Sequence, residues 1–579
     1  MTTDRWITDT TPRTRFRYYT RANADEVGPE PISPLGWSLA WVRGTGPGAA
    51  DGFVNFGIVT AEELAPDHQI FANWGSYFYN NMSLSRLMGV RMPGGDVAAI
   101  DRAYFGDHPD VPPYVPDPSD ESQERTEHLG RTLMWIMSTD RCEPMEEGVA
   151  LSRKVRADRP DFAALSDRQL VDHARRVVAD IRTVWGAYCE VVLGAAIGPG
   201  AVAAVCDSIG RSGDAVKLFA GLGGVESAGG SMALWSLSRR VRASGELTAA
   251  FEAGLEDLLS RLQQSASLDA EGFLAALDDT LGEYGHRGPH EWDLRSECWA
   301  TRPGLVLGMV DQIRHRGDEH DPSAVAAHAA SERRRVAAEI ADQIAGDAAT
   351  LATFEAGLRS GALFYQLREA GKSAVIRLYC EAKLALFALA DRMVERDVLD
   401  SRLQLFMLLD DELEPFVADP PSFSGVLRER ADQFLGFAEL EPPWIVDTLV
   451  GPPPVSEWPR RGTGDAKRAE AGEVLQGAAA APGRATGRAR IVVDPSSAEL
   501  EPGDVLVCRT TDPSWAPLFL AVGAVVCDVG AIGSHAAIVA REIGVPCAVS
   551  VTDATRRIPE GATISVDGST GEVTVEALA

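Results

Sequence analysis

The feature that most constrains this chain is a change of pattern at residues 523–546. Gly523-Ala524-Val525-Val526-Cys527 is a short unbroken apolar run and reads as a buried strand. Gly530, Gly533 and Ser534 follow, which suit a tight turn and a helix N-cap. Ala536, Ala537, Ile538, Val539 and Ala540 then favour a helix, and Gly544-Val545-Pro546 stops it. His535 is therefore predicted in the first turn of a helix entered directly from a strand.

That position has chemical consequences. The first N–H groups of a helix have no internal partner and sit at the positive end of its dipole, so an anion beside His535 finds donors. An ordinary imidazole, with a pKa near ~6.5, is largely neutral and nucleophilic at neutral pH. The residues alone leave two readings open. His535 either accepts a phosphoryl group and passes it on, or caps the helix and fills the core.

Three blocks recur in order around it: Asp504-Val505-Leu506-Val507, then Thr511-Asp512-Pro513-Ser514-Trp515-Ala516-Pro517-Leu518, then Gly533 through Pro546. Together they closely resemble the swivelling phosphohistidine domain of the phosphoenolpyruvate (PEP)-utilising enzymes, which include phosphoenolpyruvate synthase, pyruvate phosphate dikinase and rifampin phosphotransferase. The resemblance implies a small swivelling β/β/α domain over 483–579. In it His535 is the phosphocarrier, and Thr511, Gly533 and Ser534 shape its turn. Short apolar segments at 489–493, 505–508, 524–527, 547–551, 563–566 and 572–575 fit the strands of such a domain.

The chain before it reads differently. Residues 1–30 are polar and read as an irregular arm. Ser166-Asp167-Arg168-Gln169 is a capping box, and Leu170, Ala174, Val177, Ile181, Val184, Tyr188 and Val191 follow at helical spacing. Similar stripes around 247–280, 323–345, 348–370 and 373–397, with few strand signals before 480, predict a large, mostly α-helical domain over 31–450. Gly451-Pro452-Pro453-Pro454 and an alanine-rich stretch mark 451–482 as a linker. As a flexible coil of about 30 residues it would span ~30 Å, enough for a tethered carrier to visit separated sites.

Several side chains in the helical region could carry chemistry. Tyr77 and Tyr79, after Trp74, belong to an aromatic cluster that either lines a ligand pocket or forms core. His286, beside Arg287 and close to Glu291, is either a general base for a hydroxyl or a turn histidine. Arg368 and Lys372 share one helical face, as a clamp for a phosphoryl group or as a solvated surface, with Arg377 as a weaker addition. Leu35-Gly36-Trp37-Ser38, Pro93-Gly94-Gly95-Asp96, Gly285-His286-Arg287-Gly288 with Glu291, and Leu367-Arg368-Glu369 with Lys372 look like the helical substrate-binding domain of rifampin phosphotransferase and its relatives. That likeness implies the functional reading of His286, Arg287, Glu291, Arg368, Lys372 and Arg377.

No metal site is read in this chain. Asp410, Asp411, Glu412 and Glu414 are acidic enough for Mg²⁺ but suit a charged helix end, and His315 and His320 with Asp318 suit a polar loop. Gly221, Gly223 and Gly224 do not complete a dinucleotide fingerprint, since Glu226 takes the third position, and read as an interhelical turn. The eight cysteines form no Cys-x-x-Cys pair. The net charge of −29 disfavours nucleic acid and anionic membranes as partners, and the absence of a leader-like or long apolar run points to the cytoplasm.

In the resembled enzymes an ATP-grasp domain or a PEP-binding barrel charges the histidine. No glycine-rich nucleotide loop occurs in these 579 residues. The expected system is therefore split: a separate ATP-grasp protein supplies ATP and Mg²⁺ and charges His535, and the helical domain binds a small molecule bearing a hydroxyl. Two alternatives stay open, a dehydratase working through a phosphate ester and a non-catalytic binding protein.

Overall fold

The computed structural model describes residues 9–11, 13–65, 68–105, 108–461, 466–493, 495, 498, 500–511, 515–530 and 534–579. The chain divides into two compact units, one of 1–194, 290–296 and 371–464, the other of 195–289, 297–370 and 465–579. The expected helical domain over 31–450 is thus split between them, because the polypeptide leaves the first unit and returns to it twice.

The first unit contains a four-stranded antiparallel sheet in the order β2-β3-β1-β4. Its strands are β1 (Tyr18–Thr20), β2 (Phe71–Trp74), β3 (Tyr77–Asn81) and β4 (Ile445–Asp447). Gly75 and Ser76 join β2 to β3, both at positive φ (55° and 66°), the backbone sense that suits a two-residue hairpin between twisted strands. Tyr19, Trp74, Tyr77, Tyr79, Val446 and Trp458 pack together as the core of this sheet. One expectation is corrected here. The arm over 1–30 contains a strand and the helix Ala22–Val27. Tyr77-Phe78-Tyr79 is apolar on both faces of its strand, so it lacks the alternation that would mark a strand in sequence.

The helices of this unit follow the predicted caps and stripes. Ser166 and Gln169 exchange the two hydrogen bonds of a capping box, with Ser166 N donating to Gln169 Oε1 at 2.8 Å and Gln169 N to Ser166 Oγ at 3.3 Å. The helix Asp167–Gly194 starts there, and Leu170, Ile181, Val184 and Val191 on its stripe are fully buried. One stretch, Asp167–Ser208, is long and apolar enough to cross a bilayer by composition. The stripes at 348–370 and 373–397 are not two helices but one, Ala348–Glu395. Gly371 does not interrupt it. A β-carbon there would lie 2.7 Å from Met145 Sδ and Tyr188 Cδ2, so the glycine admits a packed neighbour.

In the second unit, the helices Glu226–Ala243, Leu268–Tyr284, Gly304–Arg314 and Pro322–Ile344 accompany an eight-stranded sheet. Its strands are β5 (Val474–Gln476), β6 (Ala478–Ala481), β7 (Arg484–Ile491), β8 (Val505–Cys508), β9 (Ala524–Cys527), β10 (Cys547–Val549), β11 (Thr563–Asp567) and β12 (Glu572–Ala577). The order is β5-β12-β11-β7-β8-β9-β10-β6, with β7 to β10 parallel. Both faces of the parallel part are buried, as its unbroken apolar runs require. Val505, Val507, Ala524 and Val526 pack on one side with Val566 and Val573. Leu506, Cys508, Val525 and Cys527 face the other, in one continuous core with Ala536, Val539 and Ala540 and with Leu234, Trp235 and Val310 of the helices.

The predicted linker over 451–482 is corrected as well. β5 and β6 lie inside it, and already Ala469 N donates to Arg557 O at 2.8 Å. Alanines carry little strand preference of their own. Ala478–Ala481 is a strand because it pairs with β10.

Candidate functional site

β8 and β9 are parallel neighbours with Cys508 opposite Cys527. The pairing continues past their ends, with Asp528 N donating to Cys508 O at 3.0 Å and Val529 N to Arg509 O at 2.9 Å. The chain after β8 reaches Thr511, and the chain after β9 reaches His535. The two side chains meet at the carboxyl edge of the sheet, with Thr511 Oγ1 3.2 Å from His535 Nδ1, both buried. Ser534 caps the helix His535–Ile543, its Oγ accepting from Ala537 N at 3.4 Å. Gly544 ends that helix at φ 74°, as the glycine predicts. Gly533, the third residue assigned to this turn, lies outside the described residues.

The approach to His535 is tied down at two points. The Asp528 carboxylate accepts from Thr555 N at 2.8 Å and from Thr555 Oγ1, and the Ser550 hydroxyl donates to Gly530 O. Burial pushes the Asp528 carboxyl up to about 6, against the opposing pull of the Thr555 bonds and the Arg509 charge. Further along the helix, Arg541 is buried. Its Nη1 donates to Ala480 O at 2.8 Å, and its guanidinium stands 5.6 Å from the Tyr365 ring centre. Burial, with a smaller contribution from the Arg368 charge, pulls its pKa below the usual arginine value.

His286 and Arg287 lie in the same unit, in a turn that follows the helix Leu268–Tyr284. The turn is tied to a second turn at 299–300, with Trp299 N donating to Arg287 O and Ala300 N to Gly285 O, each at 2.8 Å. Both side chains are almost fully buried. Arg368, partly exposed, lies on the part of the long helix that belongs to this unit.

The first unit holds the others. Lys372 Nζ stands 3.3 Å from Glu291 Oε1 and 6.0 Å from the Trp292 ring, so these two predicted residues are brought together. Arg377 is 1% exposed and donates from Nη1 to Ser152 Oγ at 3.0 Å. Tyr77 and Tyr79 are both 0% exposed, Tyr77 Oη donates to Phe437 O at 2.8 Å, and both rings belong to the core of the four-stranded sheet. The acidic run at 410–414 is neutralised by arginines. Asp410 pairs with Arg43 and Arg175, Glu414 with Arg175, and Glu412 with Arg430. Asp318, beside His315 and His320, pairs with Arg239 and Arg242. Among the described residues no group of three or more His, Cys, Asp or Glu side chains is gathered in a metal-holding geometry.

Asp528, Arg541, Glu542 and Arg333 escaped the sequence reading. The available signal was the adjacent charged pair Arg541-Glu542 inside an otherwise apolar helix, where every residue from His535 to Ile543 is buried.

Comparison with known proteins places these features in context. Residues 189–369 match the rifampicin phosphotransferase fourth domain, and residues 500–571 match the mobile domain of PEP-utilising enzymes. A rifampicin phosphotransferase of Streptomyces sviceus is 32% identical over 307 residues, which are 52% of this chain and 34% of that protein. The uncharacterized phosphotransferase YvkC of Bacillus subtilis is 30% identical over 364 residues, 59% of this chain and 41% of that protein. The uncharacterized protein Rv2047c of Mycobacterium tuberculosis is 27% identical over 589 residues, 99% of this chain and 63% of that protein. The chain thus spans between a third and two thirds of the length of these relatives. The fourth-domain match is followed in this chain by the match to the mobile domain of PEP-utilising enzymes, and that second match contains His535.

Proposed function

We propose that this chain is a phosphotransferase subunit that carries a phosphoryl group on His535 and delivers it to a hydroxyl of a small molecule held by the helical region. The observation that carries this reading is the Thr511–His535 pair at the ends of two neighbouring parallel strands. When Nδ1–H donates to Thr511 Oγ1, the ring lone pair lies on Nε2, which becomes the nucleophile. In charging, Nε2 attacks the terminal phosphorus of the donor, an N–P bond forms and the bond to the leaving oxygen breaks. Thr511 then holds the Nδ1–H of the positively charged ring. In transfer, the substrate oxygen attacks phosphorus, the N–P bond breaks, and its electron pair returns to Nε2.

The hydroxyl proton needs a base, and His286 has the right chemistry. Arg368 and Lys372 suit the neutralisation of the phosphoryl oxygens, and Arg287 and Glu291 the orientation of the acceptor. ATP and Mg²⁺ enter with a separate charging protein of the ATP-grasp class.

The test is intact-mass spectrometry of the full chain at neutral to alkaline pH, where phosphohistidine survives. One arm uses ATP, Mg²⁺ and the purified ATP-grasp domain of a rifampicin phosphotransferase. The other uses phosphoramidate as a small chemical donor. A gain of one phosphoryl mass that His535→Ala abolishes is expected. A label that persists in His535→Ala, or no label in either arm, refutes the reading.

A further inference from the structure

The helix His535–Ile543 ends on a contact that its carrier role does not require. The Glu542 carboxylate reaches out of the mobile domain to the loop at 220–224. There Leu222 N donates to Glu542 Oε1 at 3.0 Å; burial raises the carboxyl's pKa, and the Leu222 and Gly223 backbone N–H groups pull it back toward the ionised form. Gly221, Gly223 and Gly224 all have positive φ (57°, 70° and 66°), which turns successive N–H groups toward one point and forms an anion-binding nest. Arg333 braces the loop from behind, its Nη1 donating to Ala220 O at 2.7 Å and to Gly221 O, while its charge acts favourably on Glu542. A β-carbon at Gly221 would lie 2.6 Å from Ala330 N and 2.7 Å from Ala326 O, so the loop is fitted against the helix Pro322–Ile344. Gly544, just beyond Glu542, rests on Val325 of the same helix.

The other described contacts between these two parts include a shared apolar core, a neutral hydrogen bond and the Arg541 guanidinium over the Tyr365 ring. Ala536, Val539 and Ala540 share a core with Leu234 and Trp235, and Gln312 Nε2 donates to Ala498 O at 3.1 Å. Apolar surfaces tolerate sliding, whereas charge-assisted bonds to a fixed nest set one register. In this register His535 is 7% exposed and its helix is buried throughout, so the ring is closed to a donor borne by another protein.

We propose that Glu542 is the docking key of the carrier helix: seated in the Leu222–Gly223 nest it fixes the helix on the helical region, and its release uncovers His535. Glu542 is thus a positioning residue that acts through the helix it belongs to. The proposal takes its meaning from the carrier reading above, but its test does not depend on that reading.

The test is the rate at which diethylpyrocarbonate modifies His535 in the full chain, read by peptide mass mapping. The reagent modifies any accessible imidazole, whether or not it carries phosphate, so failure of the carrier reading and failure of the docking key give different results. Glu542→Ala is expected to label His535 about tenfold faster, the change that follows when a charge-assisted contact is lost from a two-state equilibrium. Glu542→Gln, which keeps an acceptor but loses the charge, falls between. Arg333→Ala, from the opposite side, raises the rate in the same direction. In parallel, hydrogen exchange at the Leu222 and Gly223 amides rises in Glu542→Ala while the amides of β8 and β9 stay protected. That combination separates undocking from unfolding. Unchanged labelling with the Leu222 and Gly223 amides still protected overturns the proposal, and so does loss of protection throughout the sheet.

Discussion

Asp528 offers a test of how the His535 approach is held. Its carboxyl sits between β9 and the short helix Ala554–Arg557, and burial raises its pKa from the ordinary 3.8 to about 6. A folded-state value above the unfolded one means that the folded protein keeps a proton the unfolded chain has lost. Below pH 3.8 the group is protonated in both states and contributes no difference. Between that value and about 6, stability falls as pH rises, and the loss is complete above it. A difference of about 2 units corresponds to ~3 kcal/mol, and partial solvent access to this half-buried side chain reduces that to ~1.5 kcal/mol. Asn has the shape of the protonated acid at every pH and can still bond Thr555. Asp528→Asn should therefore match the unmodified protein near pH ~3.5 and exceed it by ~1.5 kcal/mol at pH ~7. Hydrogen exchange in a peptide covering 524–530, followed against urea, reads this difference, since comparing the two proteins at each pH cancels the intrinsic exchange rate. A gap that is constant with pH would show that folding leaves the carboxyl's pKa unshifted, and one that grows as pH falls would show it ionised and stabilising; either result would refute the reasoning.

Two substitutions probe neighbouring statements. Thr511→Val removes the oxygen that faces Nδ1 and should slow phosphorylation of His535 by about tenfold or more, with a stability change within ~1 kcal/mol and recovery in Thr511→Ser. A wild-type charging rate in the valine variant would remove Thr511 from the mechanism. Tyr79→Phe deletes a buried hydroxyl with no hydrogen-bond partner among the described residues, so thermal stability should hold or rise by up to ~1 kcal/mol. A clear loss of stability would restore a polar role to that ring.

The strand–turn–helix around His535 was legible because its determinants are local. An apolar run, a serine cap and a terminating glycine each act within a few residues, and Ser534 and Gly544 sit where that chemistry puts them. The meeting of Thr511 with His535 was legible only as two blocks in order. Their closeness depends on the parallel pairing of β8 with β9, which neither block encodes alone. Tertiary packing explains the misreadings. Ala478–Ala481 becomes a strand through its partner β10, and Gly371 is a packing site inside a continuous helix. Tyr77 and Tyr79 left pocket and core both open in the sequence, because aromatic rings serve cores and ligands equally well. Glu542 and Arg333 were invisible for the same reason as most long-range pairs: two charges some two hundred residues apart carry no mark of their meeting.

The early start of the mobile domain has a consequence for reach. Arg461 is anchored by Glu30 and by the hydroxyl of Tyr77, and Ala469 is already bound to Arg557. Only residues 462–468 separate those anchors, and at about 3.5 Å per residue they pay out no more than ~25 Å of chain. That length is an upper bound on how far the two anchors can part along this connection.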